Sequence, residues 1–339
     1  MSQVRKTLGR WRVWLASGGL AVCMGCSLAA ERPPLLLVQP MDRVMPANAV
    51  VQHFARWLPH YLGDKAVLHR DSNGKGLEGI AWAGSAAPPE RTVLLMSQLW
   101  QSRLDTLPAS TPGARNWVPV QVVLLGTWCL MAQEDRHLPD YAALHAWLRT
   151  LGRPVRLGVP HRFGLPELWM QAMAHKTDLP WVSRAFPLQR QSIQALETGA
   201  VDVVLERCSD ASHLLDGRLE VRKDHPKVQL LAQQGLPASE HVPGFVQWQL
   251  PPIAPGWMAW FVRAEMSADR QEAVGRALHA ILLRDDTQAL IAALQQQPVR
   301  MSQTDSQRFV RRTQAQGQSL QQWLEHAADP LLGVSSLVP

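Results

Sequence analysis

Apolar positions along the chain alternate between two patterns. Short apolar runs such as Leu35–Val38 and Thr92–Met96 have the length and bulk of buried strands, and Ala66–His69, Val155–Val159, Trp181–Phe186 and Val201–Leu205 also read as strands. Between them apolar residues recur at helical spacing. Val50, Val51, Phe54, Trp57, Leu58 and Tyr61 predict a helix that Leu62-Gly63 stops. An Ala/Trp-rich segment predicts a second helix running to Gly84, and Tyr141, Leu144 and Leu148 mark one face of a helix over Asp140–Arg149 with Gly152 just past its end. Pro166 and Glu167 suit the first turn of another helix, and Leu188–Glu197 reads as a helix closed by Thr198-Gly199. Strand followed by loop and helix, repeated, is the pattern of an α/β protein with mostly parallel sheets.

The remaining segments bend this pattern without breaking it. Trp100–Asn116, with Pro108 and Pro112-Gly113, reads as irregular, and Val118–Met131 as one strand crossing into a second lobe. Gln247–Trp260 is expected to carry the chain back. Three helices then close it: one capped by Ser267 with Val274, Leu278 and Ile281 inward, one lined by Leu290, Ile291 and Leu294, and one from about Thr304 to Ala327 with Phe309, Leu320, Trp323 and Leu324 inward. No internal repeat or low-complexity segment is present. In open α/β sheets the loops leaving the carboxyl ends of strands face the ligand crevice. Function is therefore expected at Pro40–Asn48, at the Asp71–Gly76 loop, at Ser97 and Gln98, and at the loop Pro160-His161-Arg162-Phe163-Gly164.

Composition narrows the class. A chain of 339 residues with 46% hydrophobic and 18% charged residues suits a globular protein large enough for two cored domains. The formal charge of +6 invites a nucleic-acid reading, but Arg5, Lys6, Arg10 and Arg12 sit ahead of the apolar segment Val13–Cys26. Setting those four aside leaves 30 basic against 28 acidic residues. The excess belongs to the leader, so no nucleic-acid partner is expected. That leader has a basic start, an apolar middle and Ser27-Leu28-Ala29 before a cut at Ala30, the form of a secretory signal over residues 1–29. Lipidation of Cys26 is the rival processing route. Either route places the mature protein in the periplasm.

Several chemistries find no support. The 12 histidines are scattered, and no H-E-x-x-H, H-x-H or C-x-x-C spacing survives in the mature chain, so neither a metal nor a cofactor is expected. Gly74-x-Gly76-x-x-Gly79 formally matches a dinucleotide fingerprint but follows a second strand instead of opening the fold. Gly84-Ser85 lacks the upstream glycine of a nucleophile elbow. Of the 14 tryptophans, Trp57, Trp147, Trp169 and Trp323 fall at core spacing, while Trp82, Trp100 and Trp128 lie near strand ends where they could wall a cleft.

Four segments resemble a known family, the receptors of tripartite tricarboxylate transporters, also called Bug-type solute receptors. Its P-x-x-P-G-G-x-x-D loop lies over Pro40–Asn48, with the glycine pair falling on Val44-Met45 and the aspartate on Asn48. Its glycine loop lies over Ser72–Leu77. Its P-P-D-G-Y-T-L-L-M-G is similar to Pro88–Ser97, and its G-G-Q-V-D-L-M-F-D to Thr198–Glu206; Gln234–Pro237 and Pro243-Gly244-Phe245 resemble two further segments. The resemblance implies a two-lobed periplasmic binding protein of type II, each lobe a mostly parallel sheet flanked by helices. Residues 30–128 would begin lobe 1, 129–246 form lobe 2, and 247–332 return to lobe 1.

The resemblance further implies a non-enzymatic receptor. It would hold a small organic solute, a carboxylate by family habit, between the lobes and deliver it to membrane permease subunits, working as a monomer. A ligand-sensing or scaffold protein on the same fold, presenting a lobe surface to a membrane kinase, is the alternative. The expected ligand-binding residues are Pro40, Met41, Asn48, Asn73, Gly74, Lys75, Gly76, Ser97, Gln98, His161, Arg162, Phe163, Gly164 and Glu206. Arg162 is the residue expected to meet ligand charge, because its fork can grip a carboxylate through two parallel hydrogen bonds. Val44-Met45 and Leu165-Pro166-Glu167 stand where the family has glycines and hydroxyl residues. These changes favour a ligand with one anionic group and a substantial apolar part over a compact dicarboxylate. In the type II fold the crossing strand runs beside the strand ending near Cys208, which makes Cys129 and Cys208 a candidate disulfide in an oxidising compartment; two buried thiols are the other possibility.

Overall fold

The computed structural model describes residues 34–327 apart from 40–45, 71–76, 106, 109, 112, 134–137, 161–163, 178, 187–188, 209–227, 235–243, 248–249, 251 and 295. The leader lies outside the described residues, and so do the loop residues Pro40, Met41, Asn73, Gly74, Lys75, Gly76, His161, Arg162 and Phe163. All described residues belong to one unit, Pro33–Pro339. Among them no helix is long and apolar enough to cross a membrane.

The first sheet is built on the apolar runs. Strands β1 (Leu35–Gln39), β2 (Ala66–Arg70) and β3 (Thr92–Ser97) are parallel, with β1 in the middle, Leu36 opposite both Val67 and Thr92. Between them run α1 (Pro46–Leu62) and α2 (Leu77–Ser85). Strand β10 (Gly256–Arg263) runs antiparallel to β3, strand β4 (Trp117–Gly126) pairs antiparallel with β10 and so runs with β3, and the short β11 (Gln297–Pro298) edges the sheet, giving the order β11-β4-β10-β3-β1-β2. Every residue of β3 and β10 is buried, as expected of central strands covered on both faces. Leu37, Phe54, Leu94, Trp260 and Phe261 lie at the heart of this core.

The second sheet has the order β7-β6-β8-β5-β9, from β5 (Trp128–Gln133), β6 (Val155–Val159), β7 (Trp181–Ala185), β8 (Val203–Arg207) and β9 (Val228–Gln233). Strands β6, β7 and β8 are parallel, and β5 runs antiparallel to β8. Helices α4 (Tyr141–Thr150), α5 (Leu165–Thr177) and α6 (Gln189–Glu197) flank it. Asp140 caps α4, its carboxylate accepting from the Ala143 amide at 2.7 Å. Gly63 and Gly199 end α1 and α6 with φ of 69° and 68°, a left-handed turn that glycine adopts without strain. Helices α7 (Ala268–Leu282), α8 (Asp285–Ala293) and α9 (Gln303–Ala327) close the chain.

Three expectations are corrected. The segment read as irregular from Trp100 contains the end of a helix, α3 (Gln98–Asp105), which begins directly on the end of β3; the prolines that suggested a loop come only after it. The single strand read over Val118–Met131 is two strands. It breaks at Gly126-Thr127, and the halves belong to different sheets. Ser267 does stand just before α7, but its side chain caps nothing there: its hydroxyl donates to Glu90 at 3.0 Å and its amide donates to the same carboxylate at 2.8 Å. A carboxylate is the stronger acceptor, so the serine joins α7 to the turn before β3 instead.

Candidate functional site

The carboxyl ends of the parallel strands are where helices begin. α1 follows β1, α3 follows β3 without a break, and α5 follows β6 after the Pro160–Gly164 loop. Each helix start carries unpaired backbone N–H groups and the positive end of a helix dipole, which suits an anion. Gln98, the first residue of α3, and Leu165, the first of α5, line one cavity together with Trp257 of β10 and Thr313 and Gly317 of α9. The enclosed space there is about 30 Å³, room for a water or two. The starts of α3 and α5, helices that follow strands of different sheets, thus border one narrow gap.

The expected residues that are described fall into place as follows. Ser97 and Gln98 are buried at the junction of β3 and α3, with Ser97 opposite Met258 in the ladder. Asn48 is half-buried on the first turn of α1. Its side-chain oxygen accepts from the Gln52 amide at 3.1 Å, which leaves its own NH₂ as a donor. Gly164 is buried before α5, its carbonyl accepting from the Leu168 amide at 3.1 Å. Glu206 is buried near the end of β8 and accepts from the Ser192 hydroxyl at 3.0 Å. Only Gln98 of this set lines the cavity. Trp128, one of the candidate cleft walls, is fully buried core with its indole N–H donating to the Ala254 carbonyl at 2.9 Å. Trp82 is exposed and stacks on His69 at 4.1 Å between ring centroids.

Sequence reading missed the residues that join the two sheets. The chain crosses between them at Gly126-Thr127 and again at Ile253–Gly256. Gln234 ties these crossings, accepting from the Trp128 amide at 3.3 Å and donating to the Ile253 carbonyl. From α9, Gln316 accepts from the Ala254 amide at 3.0 Å and Thr313 from the Trp257 indole at 2.9 Å. The Arg207 side chain packs beside both crossings, in ordinary contact range of the positions where a Cβ would stand on Gly126 and Gly256. Cys129 and Cys208 are joined by a disulfide with Cα atoms 4.9 Å apart, beside the first crossing.

Gln39 was also missed. It ends β1, is fully buried, and neither amide atom has a hydrogen-bond partner among the described residues; the same holds for the side-chain oxygen of Gln98. The signal was a polar residue closing the run Leu35–Val38 at the crevice edge.

The strongest charge cluster sits elsewhere. Asp202, just before β8, accepts from Arg153 at 2.7 and 2.8 Å and from Arg156, whose backbone amide also donates at 2.9 Å. Burial alone would raise the Asp202 pKa, but these hydrogen bonds outweigh it and hold the carboxyl well below the usual range. This cluster staples the amino ends of β6 and β8, away from the strand ends that face the cavity. Among the described residues no group of acidic, histidine or cysteine side chains is placed to hold a metal ion.

No family model matches the sequence, and no curated protein does. Solved structures do share its fold. R. palustris Rpa4515 with adipate superposes with a TM-score of 0.69 at 16% identity, over 87% of this chain and 98% of that one. Periplasmic binding protein BugD gives 0.65 at 14%, over 88% and 98%. MatC from Rhodopseudomonas palustris with bound malate gives 0.66 at 14%, over 85% and 99%. The chain therefore has the two-lobed α/β fold of the Bug-type periplasmic solute receptors.

Proposed function

We propose that this protein is a divergent periplasmic receptor of the tripartite tricarboxylate transporter type. It captures a small organic acid between its lobes and delivers it to membrane permease subunits. The observation that carries the reading is that α3 and α5, which follow strands of different sheets, begin beside one narrow gap. Capture needs no bond making: helix-start amides donate to the anion, and closure of one lobe on the other excludes water. In this reading residues 30–128 and 247–332 make lobe 1, residues 129–246 make lobe 2, and the mature receptor is a monomer that begins near Ala30.

The ligand's charge is assigned to Arg162 and to the amides of the Asn73–Gly76 loop, with Ser97, Gln98 and Asn48 supplying uncharged contacts and Glu206 an acceptor for any donor group the ligand carries. Pro40, Met41, Phe163 and the neighbouring His161 and Gly164 complete the walls. Adipate and malate in the related structures are dicarboxylates. Here Pro166 removes one amide donor from the start of α5, and the sequence has Val44-Met45 where the family's loop has two glycines, so a single anion on an apolar body is the better match. Native mass spectrometry of protein isolated from the periplasm tests the reading. An organic acid that dissociates on denaturation is the expected result; a bound nucleotide contradicts it.

A further inference from the structure

Helix α9 runs for 25 residues past both large cores of the molecule. Its first half belongs to the first sheet. Phe309 and Val310 are buried in that core, the Ser306 hydroxyl accepts from the Val122 amide of β4 at 3.1 Å, and the Thr313 hydroxyl accepts from the Trp257 indole of β10 at 2.9 Å. Its second half packs against α5, which flanks the second sheet. There Leu320 lies partly buried against the second core, and the Trp323 ring meets the His175 ring of α5 edge-on at 5.3 Å between centroids. The two halves are gripped unequally. Ser306, Val310 and Thr313 are buried, whereas Gln318, Ser319, Gln321 and Gln322 around the second contact are exposed.

Gly317 stands between the two halves. A Cβ there would meet nothing within 4 Å, so packing does not call for glycine, the weakest helix former apart from proline. Gly317, Gln318 and Gln321 also border the narrow gap at the starts of α3 and α5, together with Leu165 and Leu168 of α5. A shallow apolar contact beyond a soft point in a helix opens without disturbing either core. We propose that the distal half of α9, from Gly317 to Ala327, is a strap that fastens on α5 through Leu320 and Trp323 and holds the two halves of the molecule closed over the gap. Helix α5 begins at the crevice loop, so the strap grips the helix whose start borders that gap. This rests on the receptor reading for its purpose, since closure is what retains a solute. The fastening itself is a property of the empty protein.

Distances between spin labels in the ligand-free mature protein test it. Arg276→Cys on α7, which packs on the first core, and Val182→Cys on β7 of the second sheet are exposed positions for the labels. Cys129 and Cys208 are bonded to each other and take none. The labelled wild type should give one dominant distance. Leu320→Ala with Trp323→Ala should lower the closed-to-open ratio about tenfold and add a longer distance, because two partly buried apolar contacts are lost. Gly317→Pro, which breaks the helix before the fastening and touches neither contact, should add the same longer distance. Gly317→Ala, which favours the helix, should add none. A distance distribution matching the wild type in the double variant or in Gly317→Pro overturns the proposal, as does a longer distance in Gly317→Ala. With no ligand present these distances judge the strap alone, while the mass spectrometry above judges the receptor reading.

Discussion

The Trp128 indole N–H donates to the Ala254 carbonyl at 2.9 Å, joining the first crossing between the sheets to the second. Gln234 bonds the same two segments, and Gln316 of α9 holds the Ala254 amide at 3.0 Å. Helix α9 itself contributes Phe309 and Val310 to the first core and packs Leu320 against the second. The joint between lobes is thus a hydrogen-bonded assembly backed by one long helix.

Gln234→Leu removes both side-chain bonds and leaves the Trp128 amide and the Ile253 carbonyl each short of a partner. Unfolding in denaturant should show a loss of about 1–3 kcal/mol. Stability unchanged from wild type would mean the two crossings hold without this tie.

The Cys129–Cys208 bond closes a sequence separation of 79 residues. Cross-linking a loop of that length restricts the unfolded chain and typically stabilises by about 2–4 kcal/mol. Cys129→Ala with Cys208→Ala should therefore lower the melting temperature by several degrees, and reductant should do the same to the wild type. Free-thiol titration of the unfolded, unreduced mature protein should find neither cysteine reactive.

Asp202 gives the acid limb of stability. Its folded pKa lies below the unfolded value, so the folded state binds fewer protons than the unfolded one in acid. The contribution is complete above the ordinary carboxylate pKa of about 4 and is lost as pH falls below it. Asp202→Asn should lower the melting temperature at neutral pH and flatten its fall below about pH 4. A variant whose acid limb parallels the wild type would contradict this.

Much of this architecture is legible in the sequence because local and global signals agree there. Leu35–Val38 is apolar enough to be a covered parallel strand, Gly63 and Gly199 end helices where the periodicity stops, and Val155–Val159 is a strand with the bounds read from it. Helix α3 escaped because a helix of eight residues with a weakly apolar face carries little periodicity, and the prolines behind it read as loop. The break at Gly126-Thr127 escaped because both halves are apolar and β-branched; which sheet a strand joins is decided by partners far along the chain. The cavity residues of α9 and the orphaned amide of Gln39 escaped for a related reason. Their significance lies in what the fold sets beside them, which spacing along one chain does not record.

The central claim is that a single anion on an apolar body is held between the lobes, with Arg162 as its charge partner. Melting-temperature shifts across a panel of acids test it most directly. Monocarboxylates bearing aryl or branched alkyl groups should raise the melting temperature more than succinate, malate or citrate, because losing one charged hydrogen bond costs about 1.5–3 kcal/mol, roughly ten- to a hundredfold in affinity. Arg162→Ala should abolish most of that shift. Malate or citrate giving the largest shift, or Arg162→Ala binding as the wild type does, would contradict the account.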